Sequence, residues 1–267
     1  MSDATIVNNM GPAIRRIVLE QSRRAHVGHI GSALSIADMI GAVFSVIGPR
    51  DPDDPKRDRF VLSKGHAALA LYAALAEVGS LTVDDLNTFC ADDSLLGVHP
   101  DHLLPGVDFS TGSLGQGLSM AVGAALAASM QHAERRVYAI VSDAECNEGA
   151  IWEAAMFASH HHLANLCVLV DHNHQQAFGH TADVLESDDL AARWASFGWY
   201  VTEADGHDEA AIALILRSPP IDRPRVIVAE TVFGKGVSYM ERQIKWHYLP
   251  MSDDEYEQAL RENGVTQ

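Results

Sequence analysis

Apolar residues along the chain occur in two patterns, short continuous runs and positions at helical spacing. The runs at 60–63, 137–141, 166–170 and 225–229 have the length of buried strands. Helical spacing predicts helices at 6–25, 35–47, 66–78, 114–130, 150–161, 209–216 and 253–262. Strands that alternate with helices form parallel sheets. We therefore predict an α/β fold, with a mostly parallel sheet and helices on both faces.

The chain contains no internal repeat and no low-complexity linker, so a single domain over residues 1–267 is expected. Ser35 is expected to cap the helix at 35–47. Gly115, Gly117 and Gly123 are expected to let the helix at 114–130 pack closely.

Composition excludes several classes of function. A formal net charge of −17 speaks against binding to nucleic acid or to anionic membranes. No apolar run has the roughly 18 residues of a membrane span, and residues 1–11 lack a signal-peptide pattern. The three cysteines form no CxxC pair, which argues against a disulfide framework or a cysteine zinc site. We expect a cytoplasmic protein.

Polar residues follow two of the predicted strands directly. Asp143 comes after the strand at 137–141, and Asn173 comes after the strand at 166–170. Because the carboxyl ends of parallel strands meet at one edge of a sheet, these side chains are expected to lie together. Considered separately, Asp143 is interpreted as a helix cap and Asn173 as a turn residue. As a pair, a carboxylate and an amide oxygen suit Mg²⁺, which takes phosphates as further ligands.

Two histidines, His172 and His174, flank Asn173 and are expected to point the same way. Zinc requires three or four assembled ligands, and the sequence offers two here, so zinc is not favoured. The other histidines without a motif are interpreted as ordinary core or surface residues: His26, His102, His132, His160, His161, His162, His180 and His207.

Residues 143–149, 151–155 and 171–173 together resemble the thiamine diphosphate motif of transketolases. The resemblance to the N-terminal part of transketolase covers nearly the whole chain. It implies that thiamine diphosphate is bound through Mg²⁺. The implied metal ligands are Asp143, Asn173 and the backbone carbonyl of Gln175, with Ala144 beside the cofactor. Glu148 and Glu153 match acidic positions near the contact between the two halves of the enzyme.

Further segments resemble transketolase motifs, at 28–31, 63–66, 97–100, 111–118, 235–238 and 246–247. They imply that the sugar substrate meets three catalytic histidines, His29, His99 and His247. They also imply that the cofactor is held by His66, His247, Gly112, Ser113 and Leu114. Thiamine chemistry supplies an electron sink, and histidines suit the proton transfers that accompany it near neutral pH.

The glycines at 112, 115 and 117 follow the order G-x-x-G-x-G, with no clear strand before them. A nicotinamide site requires G-x-G-x-x-G after a strand, so a dehydrogenase is disfavoured.

A full-length transketolase continues with a second domain, which contacts the pyrimidine of the cofactor, and then a third. The resemblance therefore implies that a separate C-terminal, pyrimidine-domain subunit exists, and that the two form an α₂β₂ assembly. The expected reaction transfers a two-carbon ketol unit from a ketose to an aldehyde acceptor.

The chain departs from the family pattern around the expected site. Ser142 and Ala144 replace glycines, His174 stands where split relatives often have glycine, Ile30 replaces a proline and Tyr248 a glycine. Two alternatives therefore stay open: an acyloin-forming thiamine enzyme of specialised metabolism, and a non-catalytic structural homologue. Retention of the three sugar-facing histidines argues against the acyloin-forming enzyme.

Overall fold

The computed structural model describes residues 9–48, 51–185 and 189–264. The strands are β1 (Arg59–Leu62), β2 (Val137–Ser142), β3 (Leu166–His172), β4 (Gln175–Gln176), β5 (Gly179–His180), β6 (Tyr200–Asp205) and β7 (Arg225–Glu230). The helices are α1 (Gly11–Ala25), α2 (Ile30–Ser35), α3 (Ala37–Ile47), α4 (Ala68–Glu77), α5 (Val83–Leu86), α6 (Gln116–Met130), α7 (Gly149–His160), α8 (Thr181–Val184), α9 (Leu190–Ser196), α10 (Glu209–Arg217), α11 (Lys245–Tyr248) and α12 (Asp253–Glu262). Single 3₁₀ turns lie at Gly65–Ala67 and Ala144–Asn147.

The main sheet has the strand order β1-β2-β3-β7-β6, and every neighbouring pair is parallel. The predicted parallel sheet is confirmed, and β6 is an edge strand that the apolar pattern did not predict. Register places Ser142 opposite Asp171, and His172 opposite Glu230. The carboxyl ends of β2, β3 and β7 therefore meet at one edge.

Helices cover both faces of this sheet, as predicted. Side chains alternate along β2, so that Tyr138 and Ile140 enter one hydrophobic cluster while Ala139 and Val141 enter the other. Helices α1, α3, α4 and α10 build the first cluster, and α6, α7 and α9 build the second. No helix among the described residues has the length and apolarity to cross a membrane.

Several boundaries differ from the sequence predictions. Helix α1 begins at Gly11 with Pro12 in its first turn, and residues 6–8 of the predicted helix lie outside the described residues. The predicted cap at Ser35 is wrong, because Ser35 ends α2 and Ile36 precedes α3. Close packing is also wrong for Gly123, whose Cβ position meets no described atom within 4 Å.

A buried ion pair joins the sheet to the helices at this edge. The Nζ of Lys64, directly after β1, lies 2.5 Å from Oδ2 of Asp171 in β3, and both side chains are fully buried. Asp171 also accepts hydrogen bonds from Ser35 (2.8 Å), Asn173 (2.7 Å) and Thr231 (2.5 Å). One carboxylate thus connects α2, β1, β3 and the end of β7.

Lys64→Met is expected to lower the free energy of unfolding by about 3–5 kcal/mol, because it leaves a buried carboxylate without its counter-charge. Urea unfolding measures this change. Lys64→Met combined with Asp171→Asn is expected to recover part of the loss, since an amide needs no counter-charge. Arg223→Ala, which removes the exposed pair with Asp222, is the control and should leave stability nearly unchanged, because an ion pair in water contributes little. If Lys64→Met and the control changed the free energy of unfolding equally, the buried ion pair would not stabilise the fold.

Candidate active site

The three predicted metal ligands lie at the carboxyl edge of the sheet. Asp143 follows β2 and is fully buried, while Asn173 and Gln175 follow β3 and are nearly so. The backbone N–H of His174 donates to Oδ2 of Asp143 (2.8 Å), and the N–H of Gln175 donates to Oδ1 of Asn173 (2.9 Å). The segment after β3 therefore contacts both side chains, and the structure brings the three residues together as expected.

The electrostatics of this edge suit a cation. Burial, with the nearby negative charge of Asp171, raises the pKa of Asp143 to about 7. A bound divalent cation would offset that cost of keeping the carboxylate ionised. The available atoms are carboxylate, amide and backbone oxygens, the ligand set of a hard ion such as Mg²⁺. The donor set therefore fits the metal that the sequence predicted.

Three histidines converge beside this edge. The ring centroids of His29, His66 and His247 are separated by 5.0 to 5.7 Å. The backbone N–H of His29 donates to the carbonyl of His247 (3.2 Å), which fixes the loop before α2 against α11. The ring Nδ1 of His29 is buried and has no hydrogen-bond partner in the part of the chain that the structure describes. Such an atom is suited to meet a ligand.

Burial keeps this histidine cluster neutral. It lowers the pKa of His247 to about 4, with contributions from His29 and Lys64. It also lowers the pKa of His66 well below the usual value, with Lys64 as the second cause, and lowers that of His29. Near pH 7 these imidazoles can accept protons or hydrogen bonds, and a sugar hydroxyl offers both.

One cavity connects the predicted metal edge to the histidine cluster. Its lining includes Lys64, His66, Leu114, Ala144, Asn173 and His247. Gln176 also lines it, and the side-chain Nε2 of Gln176 is buried without a partner in the described part of the chain. The cavity therefore presents one unpaired polar atom that suits a ligand. His29 lines a second, neighbouring cavity, and His66 lines both.

The predicted loop at Gly112, Ser113 and Leu114 reaches the rim of this cavity. Ser113 and Leu114 are exposed, and a Cβ on Gly112 would lie 2.9 Å from the ring of His99. His99 is itself exposed and makes no ring contact with the three-histidine cluster in the described part of the chain, although it adds to burial in lowering the pKa of His29. The structure thus groups His99 with the glycine loop.

Glycines are required where this loop enters α6. Gly115 precedes the helix with φ +79, a left-handed conformation that glycine adopts without strain. A Cβ on Gly117 would lie 2.6 Å from Ser63, so the helix packs directly against the turn after β1. Close packing is confirmed for Gly117.

Glu145 is a buried residue that sequence reasoning did not identify. Its carboxylate accepts hydrogen bonds from the hydroxyl of Ser63 (2.6 Å) and from the backbone N–H groups of Gly115 (2.8 Å) and Ser142 (3.0 Å). It therefore ties together three loops that surround the cavity. A carboxylate inside the 143–149 motif was the available signal, but two of its three partners, Ser63 and Gly115, are distant in the sequence.

Lys64 and Asp171 were missed for a similar reason. In the run at 63–66 the family resemblance assigns a role to His66 and none to the lysine near it. A lysine among apolar residues signals a buried charge that must find a partner. The identity of that partner depends on strand register, which the sequence does not display.

Glu148 and Glu153, predicted to lie near a subunit contact, are both exposed at the start of α7. The same region carries exposed apolar side chains, with Met156 at 59% and Phe157 at 43% exposure. Exposed apolar side chains bordered by polar residues occur at protein interaction sites.

The departures from the family pattern are accommodated differently. Ser142 and Ala144 take ordinary backbone conformations, and the Ser142 hydroxyl accepts from the N–H of Glu145 (3.1 Å). His174 has φ +59, a conformation that favours glycine. Tyr248 donates its hydroxyl to the carbonyl of Ala177 (2.5 Å), beside the cavity.

His207, interpreted from the sequence as an ordinary residue, is a structural histidine with both ring nitrogens paired. Its Nδ1 lies 2.9 Å from Oδ2 of Asp38, and its Nε2 accepts from the N–H of Val232 (2.9 Å). It therefore takes no part in the candidate site.

Glu145→Gln is expected to lower the free energy of unfolding by about 1–3 kcal/mol, because the amide turns one N–H group toward a donor that needs an acceptor. Hydrogen exchange at the Gly115 amide should accelerate, since that N–H loses its acceptor. Glu257→Gln, on the exposed face of α12, is the control. Unchanged protection at Gly115 would show that Glu145 does not hold the loop.

Lowering the pH from 7 to 5 is expected to destabilise the protein through His247. In this range the unfolded chain takes up a proton at the ordinary pKa of 6.5, whereas the folded site, at about 4, does not. Stability from this group is therefore complete above pH 6.5 and is lost as the pH falls toward 4. The expected loss is about 1 kcal/mol at pH 5, after a discount for partial exposure.

Urea unfolding at both pH values tests this effect. His247→Gln should reduce the loss between pH 7 and 5, and His102→Gln at the surface should not. An identical pH dependence in the wild type and the His247 variant would refute the lowered pKa.

Comparison with known proteins identifies the family. The model of the transketolase, thiamine diphosphate binding domain matches residues 6–267. The chain is 38% identical to the 6-deoxy-6-sulfo-D-fructose transketolase subunit SqwG of Clostridium sp. strain MSTE9, over 98% of each chain. It is 39% identical to one of the subunits of the apulose-4-phosphate transketolase of Phocaeicola vulgatus, over 93% of this chain and 90% of that protein.

Solved structures agree with the fold. Transketolase from Pichia stipitis in complex with sedoheptulose-7-phosphate superposes with a TM-score of 0.90 at 30% identity. The match covers 98% of this chain but 41% of the Pichia chain. Transketolase from Campylobacter jejuni gives a TM-score of 0.89 at 27% identity, and this chain spans 43% of it. The fold is confirmed, and the family model covers residues 6–267. The chain therefore belongs to the transketolase family and corresponds to the thiamine diphosphate binding domain of that family.

Proposed function

We propose that this chain is the Mg²⁺- and diphosphate-binding subunit of a two-component transketolase. One observation carries the proposal: Ala144 and Asn173, beside the buried carboxylate of Asp143, line the same cavity as two neutral histidines, His66 and His247. The first feature suits a metal-bound diphosphate. The second suits proton transfer on a sugar. The whole chain, residues 1–267, would act as a single domain in the cytoplasm.

In this proposal the cofactor is held at both ends of the cavity. Asp143, Asn173 and the backbone carbonyl of Gln175 bind Mg²⁺, and Ala144 adjoins the diphosphate. His66 and His247, which line the same cavity, would also hold the diphosphate. The backbone of residues 112–114 meets the aminopyrimidine. When bound, thiamine diphosphate supplies the electron sink for cleavage beside a carbonyl.

The histidines then manage the protons of the substrate. Their lowered pKa values leave His29 and His247 neutral near pH 7, so that each can accept a hydroxyl proton and return it. His99, exposed beside the glycine loop, would meet the sugar where it enters.

The partner would complete the site from outside the chain. The exposed face that bears Glu148, Glu153, Met156 and Phe157 is available for a C-terminal, pyrimidine-domain subunit. Two relatives are themselves named as transketolase subunits, which supports a divided enzyme. An α₂β₂ assembly follows from the two-fold symmetry common to such enzymes.

The proposed reaction moves a two-carbon ketol unit from a ketose to an aldehyde. Relatives are named for a sulfo-sugar and for apulose-4-phosphate. These names favour a ketose as donor or product. We expect that ketose to carry an anionic group at the end remote from its carbonyl.

Titration of thiamine diphosphate with Mg²⁺ into the chain, alone and copurified with the product of the neighbouring reading frame, tests the proposal. Binding is expected in the complex and not in the chain alone, because the site lies at the interface. Asp143→Ala in the complex should weaken binding by at least about 100-fold, since a buried metal ligand is lost. Asp222→Ala, fully exposed and remote, is the matched control.

Ketol transfer by the same complex gives the second measurement. His247→Gln should lower the rate of transfer while cofactor binding falls less. Full activity of the Asp143→Ala complex would exclude metal-bound diphosphate at this edge, and would favour a non-catalytic role for the chain.

A further inference from the structure

Two histidines and a glutamate converge at the carboxyl ends of β3 and β7, and none of them lines the cavity. Nδ1 of His172 lies 3.3 Å from Oε2 of Glu230, and Nε2 of His174 lies 2.7 Å from Oε1 of the same carboxylate. The two imidazole centroids are 4.1 Å apart. The third group that the sequence lacked for a zinc site is therefore supplied by β7.

The backbone fixes this convergence from three directions. His172 and Glu230 are register partners at the ends of β3 and β7. The N–H of Thr231 donates to the carbonyl of His172 (3.1 Å), and the N–H of Thr181 donates to the carbonyl of His174 (3.0 Å). The left-handed conformation at His174 turns its ring back toward His172.

We propose that His172, His174 and Glu230 form a binding site for a zinc-class divalent transition metal, distinct from the predicted Mg²⁺ site. Their ligand atoms all lie within 4.8 Å of one another. Ligands that share one Zn²⁺ at roughly 2.0–2.2 Å are at most about 4 Å apart, so small side-chain rotations close the site. Two imidazoles and one carboxylate leave the fourth tetrahedral position to water or to a ligand.

Ligand chemistry separates the two metals. Asp143, Asn173 and Gln175 offer oxygen atoms, which hard Mg²⁺ prefers. The new site offers two imidazole nitrogens, which zinc-class ions prefer. Its side chains are 23%, 51% and 62% exposed, so a metal can enter from solvent. The nearby carboxylates of Asp171 and Glu203 add negative charge.

The test is equilibrium dialysis of the tag-free full-length chain against Zn²⁺, together with visible absorption after loading with Co²⁺. One metal per chain is expected, with the Co²⁺ spectrum of a four-coordinate site. His172→Ala, His174→Gly and Glu230→Gln should each weaken Zn²⁺ binding at least about tenfold. The glycine variant is the sharpest, because it removes the ring and keeps the left-handed backbone that contacts Asp143.

Two controls make the outcome decisive. His160→Ala removes one of three consecutive exposed imidazoles at the end of α7 and should leave Zn²⁺ affinity unchanged. Asp143→Asn should also retain Zn²⁺. Loss of Zn²⁺ in Asp143→Asn would show that the ion occupies the predicted Mg²⁺ site and would overturn the proposal. Binding to His174→Gly with wild-type affinity, or no binding by the wild type, would overturn it as well.

Discussion

The carboxylate of Asp171 is the constraint on which the site depends. It is fully buried, so it requires a counter-charge and hydrogen bonds to every side, and it obtains them from Lys64 and three neutral donors. One of those donors is the amide nitrogen of Asn173. An amide with its nitrogen committed on one side presents its oxygen on the other, so the ion pair also selects the atom that Asn173 offers to a cation.

The same ion pair organises the electrostatics of the cavity. Lys64 forms its ion pair with Asp171 and not with Asp143. Asp143 is therefore a buried carboxylate without an ion-pair partner among the described residues, and its pKa is raised to about 7. The positive charge of Lys64 still helps to lower the pKa values of His66 and His247. A site of neutral bases next to a buried carboxylate results, although the chain as a whole carries −17. The net charge of the chain speaks against nucleic acid and anionic membranes as partners. The chemistry of the cavity depends instead on the ion pair between Lys64 and Asp171.

How far the sequence could predict this arrangement depends on how far apart the interacting residues lie. The apolar runs of β2 and β3 identified the sheet, and the residues directly after them identified Asp143 and Asn173. Strand β6 was missed because its residues are only partly buried and show no clear apolar run. The partners of Lys64, Glu145 and His172 follow from strand register and loop packing over tens of residues, which local patterns do not contain. The motif at 97–100 predicted a role for His99, but it did not predict that its ring lies beside Gly112, which only the structure shows.

His174 shows why departures from a family pattern are informative. At this position a glycine would carry the left-handed backbone without strain, and a histidine carries it at a cost. The backbone N–H of His174 holds Asp143, as a glycine could. Its ring does what a glycine cannot, since it joins His172 and Glu230. By comparison, Ser142 and Ala144 fit without strain. Ser142 and Tyr248 also gain hydrogen bonds, but neither takes a left-handed backbone. At His174 the strain of the backbone accompanies new side-chain partners, which argues for an added binding site over the decay of the old one.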